Sequence, residues 1–255
     1  MKTVAIVQAR MGSTRLPDKV MKPIGGVPMI EVLLTRLARA RELDQIVVAT
    51  SVDARNEPLA DCVRQLGFAC VQGDEQDVMA RYLQAARAHQ ADVIVRITGD
   101  CPLVDPELVD QMIRGYRAAG VDYFSNVAPP SYPDGLDIEV FSLRALEQAS
   151  EQTEAAFDHE HVTPYLRESG HFRVGAEQNE QDLSGWRWTV DEPADLEVIR
   201  RVFAHFAPDI HFGWQQVKAL QENSPALFTD NQTLIRNEGA TMGTGQKLCK
   251  RANQV

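Results

Sequence analysis

The sequence predicts an α/β fold with a mainly parallel β-sheet and a small β-containing lobe. Apolar runs of strand length at residues 4–7, 46–49 and 93–97 alternate with segments of helical periodicity at residues 29–40 and 77–88. This alternation is typical of βαβ units, in which parallel strands are joined by helices. The loops that follow the three strands are therefore the first place to look for a binding site, because ligands of such sheets collect at the carboxyl ends of the strands.

The second half of the chain predicts further elements around a loop-rich break at residues 125–137, which contains Pro, Gly, Ser and Asn. The predicted elements are helices at 106–119, 143–149 and 193–206 and strands at 136–141 and 186–190. From about Ser224 the sequence becomes polar and glycine-bearing. We therefore predict one folded domain at residues 1–223 and a loose C-terminal tail at residues 224–255.

The composition excludes several classes of protein. The chain has 255 residues, of which 44% are hydrophobic, so it can bury a substantial core. Its 36 acidic and 26 basic residues give a net charge of −10, which disfavours nucleic acid and anionic membranes as partners. The four cysteines lack the close spacing of a zinc or redox site. No apolar run is long enough for a signal peptide or membrane span, which predicts a cytoplasmic protein.

The loop after the first strand, at residues 8–19, suits a polyphosphate ligand. It combines a glycine, two hydroxyl groups and three cations, namely Gly12, Ser13, Thr14, Arg10, Arg15 and Lys19. Glycine permits close backbone approach, while arginine and lysine neutralise phosphate charge. The loop has neither the Walker spacing nor G-x-G-x-x-G, which argues against dinucleotide-dependent redox chemistry. A solvated basic turn is the alternative interpretation.

Two aspartates follow strand-like runs and are candidate Mg²⁺ ligands. Asp100 follows residues 93–97, and Asp191 follows residues 186–190. Mg²⁺ commonly binds one or two carboxylates together with water and substrate phosphates. The alternatives are that Asp100 caps a turn and that Asp191 caps a helix.

Other polar residues are candidates for binding an acceptor. Asp137 and Glu139 share one face of a strand, because residues two apart in a strand point the same way. They present paired carboxylates to an acceptor or form an exposed polar strand edge. The run Asp-His-Glu-His at residues 158–161 is better explained as the start of a helix than as a metal site, since helical residues two apart face different ways.

Three motifs carry a resemblance to a known family. They are A-R-x-x-S-x-R-L-P-x-K at residues 9–19, G-D-x-P-L-V at 99–104 and V-D-x-P-x-D-L-E at 190–197. They resemble the cytidylyltransferases that make CMP-activated 3-deoxy-2-keto sugar acids and neuraminic acids, and the match extends to about residue 212. Within that group the chain is most similar to the spore-coat polysaccharide biosynthesis protein F type, which shares T-G-D-C-P-L, P-D-G-L-D-I-E-V-F and E-H-V-T-P-Y.

The resemblance implies a Rossmann-like nucleotidyltransferase fold of the nucleotide-diphospho-sugar transferase type, Mg²⁺-dependent attack on the α-phosphate of CTP, and a homodimer. It also implies a role for particular residues. Arg15, Lys19 and Asp100 would be catalytic, and Asp100 and Asp191 would bind Mg²⁺. Nucleotide binding would fall to Ala9, Arg10, Gly12, Ser13, Thr14, Arg15, Lys19 and Thr98. Acceptor binding would fall to Asp137, Glu139 and His161.

The chain departs from the family pattern at two positions. Thr98 stands where the sugar-acid enzymes commonly have Gln, and His159 stands where spore-coat-type sequences usually have Arg. Residues 234–251 resemble the first segment of aminomutase-like enzymes that are sometimes fused behind this domain, which implies an aminomutase-like pathway partner.

The sequence therefore predicts transfer of CMP from CTP to an acidic sugar or similar small acceptor. A nucleotidyltransferase with a phosphorylated or other non-sugar acceptor remains an alternative, since acceptor pockets vary on one fold. A nucleotide-sugar-dependent glycosyltransferase is a further alternative, although the chain lacks a D-x-D motif at Asp100. The last alternative is that the chain is a non-catalytic partner of an aminomutase-like enzyme.

Overall fold

A computed structural model describes residues 1–234 and 236. Its strands are β1 (Thr3–Gln8), β2 (Pro23–Ile24), β3 (Val27–Pro28), β4 (Gln45–Ser51), β5 (Ala69–Gly73), β6 (Val93–Thr98), β7 (Tyr123–Ser125), β8 (Glu139–Ser142) and β9 (Val174–Ala176). Its α-helices are α1 (Met29–Leu37), α2 (Glu57–Gln65), α3 (Val78–Ala88), α4 (Pro106–Ala119), α5 (Leu143–Gln152), α6 (Ala156–His161), α7 (Pro164–Glu168), α8 (Pro193–Phe206) and α9 (Trp214–Asn223).

The central sheet has seven strands in the order β5-β4-β1-β6-β8-β7-β9. The first four are mutually parallel, whereas β8 runs antiparallel to both β6 and β7. Helices cover both faces, and each face has its own cluster of buried apolar side chains. The predicted α/β fold with a mainly parallel sheet is therefore confirmed, and the strands of the smaller lobe extend the same sheet.

Two predicted strands need correction. Residues 186–190 form no strand but an extended segment that makes a single bridge, between Arg187 and Asp134. The segment cannot continue pairing because the opposing chain turns at Gly135, whose φ is 113° and whose added Cβ would lie 2.6 Å from the backbone of Trp188. The strand predicted at residues 136–141 is observed only at 139–142, as β8.

The chain beyond Ser224 packs on the domain as far as it is described. Residues Pro225–Phe228 form a short 3₁₀-helix, and both Phe228 and Asn231 are buried. A loose tail therefore does not describe this part of the chain. Of the aminomutase-like resemblance at residues 234–251, only Leu234 and Arg236 belong to the described residues. The domain boundary, the homodimer and the aminomutase-like partner stay predictions.

None of the helices among residues 1–234 and 236 is long and apolar enough to cross a membrane.

Candidate active site

The candidate site lies where β1 and β6 end side by side. Gln8 is in register with Thr98, and the Gly99 N–H donates to the Gln8 carbonyl at 2.7 Å. A Cβ on Gly99 would lie 2.8 Å from the Cβ of Ala9, so only glycine allows the two loops to approach this closely. The sequence thus brings the basic loop and the Asp100 turn to one edge of the sheet.

The basic loop is folded on itself and braced from outside. The N–H groups of Ser13 and Asp18 both donate to the Met11 carbonyl, and the Met11 N–H donates to the buried Asn56 side chain at 2.8 Å. The loop wraps a cavity of about 360 Å³. The cavity lining includes every predicted nucleotide-binding residue, namely Ala9, Arg10, Gly12, Ser13, Thr14, Arg15, Lys19 and Thr98.

Lys19 joins the two predicted magnesium ligands. Its Nζ lies 3.0 Å from Asp100 Oδ2 and 2.7 Å from Asp191 Oδ1. Burial opposes the charge on Lys19, but the two carboxylates outweigh it and raise the pKa of its ammonium. Burial likewise opposes the charge on Asp100, yet the Lys19 ammonium lowers the pKa of that carboxyl to about 2. Both carboxylates therefore converge on one position that holds a cation.

Asp191 receives two further cations, and it is not a helix cap. Arg15 lies 3.2 Å from its carboxylate, and Arg187 lies 3.5 Å away on the opposite oxygen. The N-terminus of α8 is capped by Glu192 together with Asp195, so the capping alternative for Asp191 does not hold. The Asp191 side chain is thus directed to the cations of the cavity.

A buried ion pair that sequence reasoning missed positions the Asp191 loop. Asp195, which is fully buried, accepts hydrogen bonds from the backbone N–H groups of Asp191 and Glu192, both at 2.9 Å. Its other contacts include the Arg187 guanidinium at 2.8 and 2.9 Å. The signal in the sequence is the Asp at the third position of a helix, where it forms a capping box.

A larger cavity of about 660 Å³ adjoins the first and shares Arg15, Asp100 and Asp191 with it. Its far side contains the predicted acceptor-binding residues Asp137, Glu139 and His161. The two cavities together form one cleft with a cationic end at the basic loop and a mixed-charge end beneath α6.

Glu139 is fixed by structural partners at the floor of the larger cavity. It is 2% exposed and pairs with Arg96, while Tyr123 and Thr163 donate their hydroxyl groups to it at 2.6 and 2.8 Å. Burial opposes its charge, but Arg96 and Arg167 outweigh this and lower the pKa of the Glu139 carboxyl. This carboxylate is therefore engaged by the protein itself, which favours a structural role over the predicted acceptor contact.

Asp137 and Asp134 form a second acidic pair at the acceptor end. Asp137 pairs with Arg236, and Asp134 lies 3.2 Å from Arg187. Burial, reinforced by the negative charge of Asp137, raises the pKa of Asp134 to about 7, against the opposing effect of Arg236 and Arg187. Burial also raises the pKa of Asp137. Asp134 is a cavity residue that the sequence analysis did not select.

α6 covers the acceptor end of the cleft and buries none of its own residues. Phe157, Glu160 and His161 of this helix line the cavity. Residues 158–161 are helical as predicted, but they form the end of α6, which begins at Ala156, and not the start of a helix. Burial lowers the pKa of His161. Among residues 1–234 and 236, no group of three or more His, Cys, Asp or Glu side chains is arranged to hold a metal ion.

His159 ties α6 to the loop before α3. Its Nδ1 lies 3.0 Å from an Asp77 carboxylate oxygen, and its Nε2 lies 3.0 Å from the Thr153 carbonyl. Both ring nitrogens face acceptors, and only the imidazolium donates from both. The hydrogen bonds to Asp77 and then to Thr153 raise the pKa of His159 above 6.5.

We expect His159→Gln to lower the melting temperature most at acidic pH. A raised folded-state pKa means that the contribution of His159 is fully present below its usual value of 6.5 and is lost as pH rises through the higher folded value. Melting curves between about pH 5 and about pH 8 measure this. His205→Gln, at an exposed histidine of α8, is the control. A deficit of equal size at every pH would contradict the predicted proton dependence.

Comparison with known proteins agrees with this architecture. The family model described as Cytidylyltransferase matches residues 4–223. Spore coat polysaccharide biosynthesis protein SpsF of Bacillus subtilis (strain 168) is 34% identical over 221 residues, which cover 80% of this chain and 88% of that protein.

Two solved structures are similar. A cytidylyltransferase from Leptospira borgpetersenii has a TM-score of 0.87 at 30% identity, and the match covers 92% of this chain and 100% of that chain. A CMP:2-keto-3-deoxy-manno-octonic acid synthetase complexed with CTP has a TM-score of 0.63 at 21% identity, covering 80% of this chain and 99% of that chain. The second likeness shows the fold alone.

Proposed function

This chain belongs to the cytidylyltransferase family, and from this premise we propose that it transfers CMP from CTP to an acidic sugar or similar small acceptor, releasing pyrophosphate. The observation that carries the proposal is the convergence of Asp100 and Asp191 on Lys19 beside the basic loop. A cation between two carboxylates, next to further cations, suits a metal-bound triphosphate. The family model that matches residues 4–223 is described as Cytidylyltransferase, which supports CTP as the nucleotide.

The reaction is an in-line displacement at phosphorus. An oxygen of the acceptor forms a bond to the α-phosphorus of CTP, and the bond from that phosphorus to the pyrophosphate oxygen breaks with its electron pair leaving on pyrophosphate. The acceptor hydroxyl releases its proton to water. Arg10, Arg15 and Lys19 line the cavity where the triphosphate would lie, so they neutralise the charge that accumulates on the leaving pyrophosphate. Orientation within the cleft and charge neutralisation provide the rate enhancement.

Asp100 and Asp191 fit a magnesium ion. Two carboxylates suffice for Mg²⁺ when substrate phosphates and water complete its coordination, and here both already face one ammonium group. When bound, Mg²⁺ would supply Lewis acidity and charge neutralisation at the phosphates. Lys19 would then exchange its carboxylate partners for phosphate oxygens, which the flexible lysine side chain permits.

A pyrophosphate-release screen tests the proposal. Each nucleoside triphosphate is combined with Mg²⁺ and with keto-sugar acids, phosphorylated sugars and phosphorylated polyols. We expect release with CTP and a keto-sugar acid. Release only with a phosphorylated acceptor would move the chain to the alternative nucleotidyltransferase activity. Transfer from a nucleotide sugar without pyrophosphate release would identify a glycosyltransferase and refute the proposal.

We expect Arg15→Ala and Lys19→Ala to weaken CTP binding by about 10-fold or more each. A hydrogen bond to a charged group contributes about 1.5 to 3 kcal/mol, and each variant removes at least one such contact. Calorimetry with CTP and Mg²⁺ measures the affinity, and melting curves check that the fold survives. Arg173→Ala, which removes a solvent-exposed arginine of the Asp122 ion pair, is the matched control. Unchanged affinity in both test variants would remove the triphosphate assignment of the loop.

A further inference from the structure

The C-terminal strap, defined as residues 229–234 and 236, lies beyond the residues 4–223 that the family model matches. It is held in place by Asn231, whose side chain is 2% exposed. The Asn231 amide donates to the Arg187 carbonyl at 3.1 Å and to the Asp195 carboxylate at 2.9 Å. The strap is therefore anchored on the same buried ion pair that organises the start of α8.

Arg236 extends from the strap into the larger cavity. Its Nη2 hydrogen-bonds to the Asp137 carboxylate, its Nη1 donates to the Tyr132 carbonyl at 3.2 Å, and its side chain is 16% exposed. A guanidinium carries five N–H donors in a planar fork. Within the described part of the chain, these two contacts leave further donors of Arg236 for a molecule in the cavity.

The other arginines near the acceptor end of the cleft already have carboxylate partners. Arg96 and Arg167 are both paired with Glu139, and Arg187 is paired with Asp195 and Asp134. The negative charge of Asp137 is offset by Arg236. Without that guanidinium, the Asp137 carboxylate would have no ion-pair partner among the described residues and would repel any anion entering the acceptor end of the cavity.

We propose that Arg236 binds the anionic group of the acceptor and determines the preference of the enzyme for acidic acceptors. The guanidinium would bridge Asp137 and the acceptor carboxylate, holding two like charges on either side of one planar cation. This inference rests on the proposed function, because it concerns the acceptor end of the same cleft. It extends the active site to the strap, outside the range of the family model.

Arg236→Gln and Arg236→Lys test the inference in the full-length enzyme with CTP, Mg²⁺ and 3-deoxy-manno-octulosonate as the probe. Arg236→Gln is expected to raise the acceptor KM at least about 10-fold, the scale of one charged hydrogen bond, and to leave the CTP KM within about twofold. Arg236→Lys keeps the charge without the fork and is expected to fall between wild type and Arg236→Gln. Arg173→Gln, at a surface ion pair far along the sheet, should match wild type in both constants.

Calorimetry of the keto-sugar acid with each variant gives a readout independent of turnover. Weaker acid binding by Arg236→Gln at an unchanged melting temperature supports the inference. A wild-type enzyme that transfers CMP while Arg236→Gln matches its acceptor KM overturns the inference alone. A wild-type enzyme that neither binds the acid nor releases pyrophosphate with it overturns the inference together with the acidic-acceptor part of the proposed function.

Discussion

Asp100→Asn and Asp191→Asn are each expected to lower kcat by about 10³-fold or more while the protein remains folded. Both carboxylates contact the Lys19 ammonium group in the structure. A hard cation such as Mg²⁺ in that position would require the negative charge of the carboxylates, which the Asn side chain of the same shape lacks. Metal-based charge stabilisation is worth several kcal/mol in a transition state, and each 1.36 kcal/mol is about tenfold in rate. Initial rates of pyrophosphate release over a Mg²⁺ titration measure the loss.

Asp122→Asn is the matched control. That carboxylate lies directly before β7 and pairs with the exposed Arg173, away from the site. The melting temperature separates lost chemistry from lost folding. Normal turnover in Asp191→Asn would refute the two-carboxylate site. In that event Asp100 alone would remain as a candidate ligand of Mg²⁺.

The sequence predicted the main strands and the convergence of the loops because both depend on local pattern. Apolar runs marked β1, β4 and β6, and parallel strands necessarily end at the same edge of a sheet. The motifs also led to the correct family. The position of Asp191 at the site has another cause, because the segment before it, residues 186–190, pairs with no strand. Its place is fixed by the Val190 N–H, which donates to the Asp100 carbonyl at 2.8 Å.

The partners of the charged residues could not be predicted because they depend on the order of strands in the sheet. Arg96 lies opposite Glu139 only because β8 inserts beside β6 and runs antiparallel to it. Asn231 reaches Asp195 across 36 residues of sequence. Polar composition predicted a loose tail, but one buried amide bonded to a buried carboxylate is enough to fix the strap locally. Propensity and periodicity carry no information on such long-range pairs.

The buried position of Glu139 changes what its substitution should do. If Glu139 only bound the acceptor, a substitution that removes its charge would have little effect on the stability of the fold. A carboxylate that compensates a buried arginine is different, because its removal leaves that guanidinium uncompensated in a medium of low polarity. Arg96 is 17% exposed at its side chain and has Glu139 as its ion-pair partner among the described residues. Stability is therefore the property that distinguishes the two roles.

Glu139→Gln is expected to destabilise the protein by about 3 to 5 kcal/mol, the usual cost of removing one partner from a buried ion pair. For a chain of this size, that corresponds to a fall in melting temperature of about 6 to 20 °C. The double variant Arg96→Met with Glu139→Gln removes both charges of the pair and keeps an amide oxygen for the Tyr123 and Thr163 hydroxyl groups. It is expected to recover much of this loss, because no buried guanidinium at position 96 is then left without a partner. Calorimetric unfolding of the wild type, the two single variants and the double variant gives the coupling energy between the residues. A Glu139→Gln enzyme with an unchanged melting temperature and a raised acceptor KM would instead assign Glu139 to the acceptor site. The Arg96 guanidinium would then have to be stabilised by Tyr82, because the centre of that ring lies 6.0 Å from the guanidinium carbon.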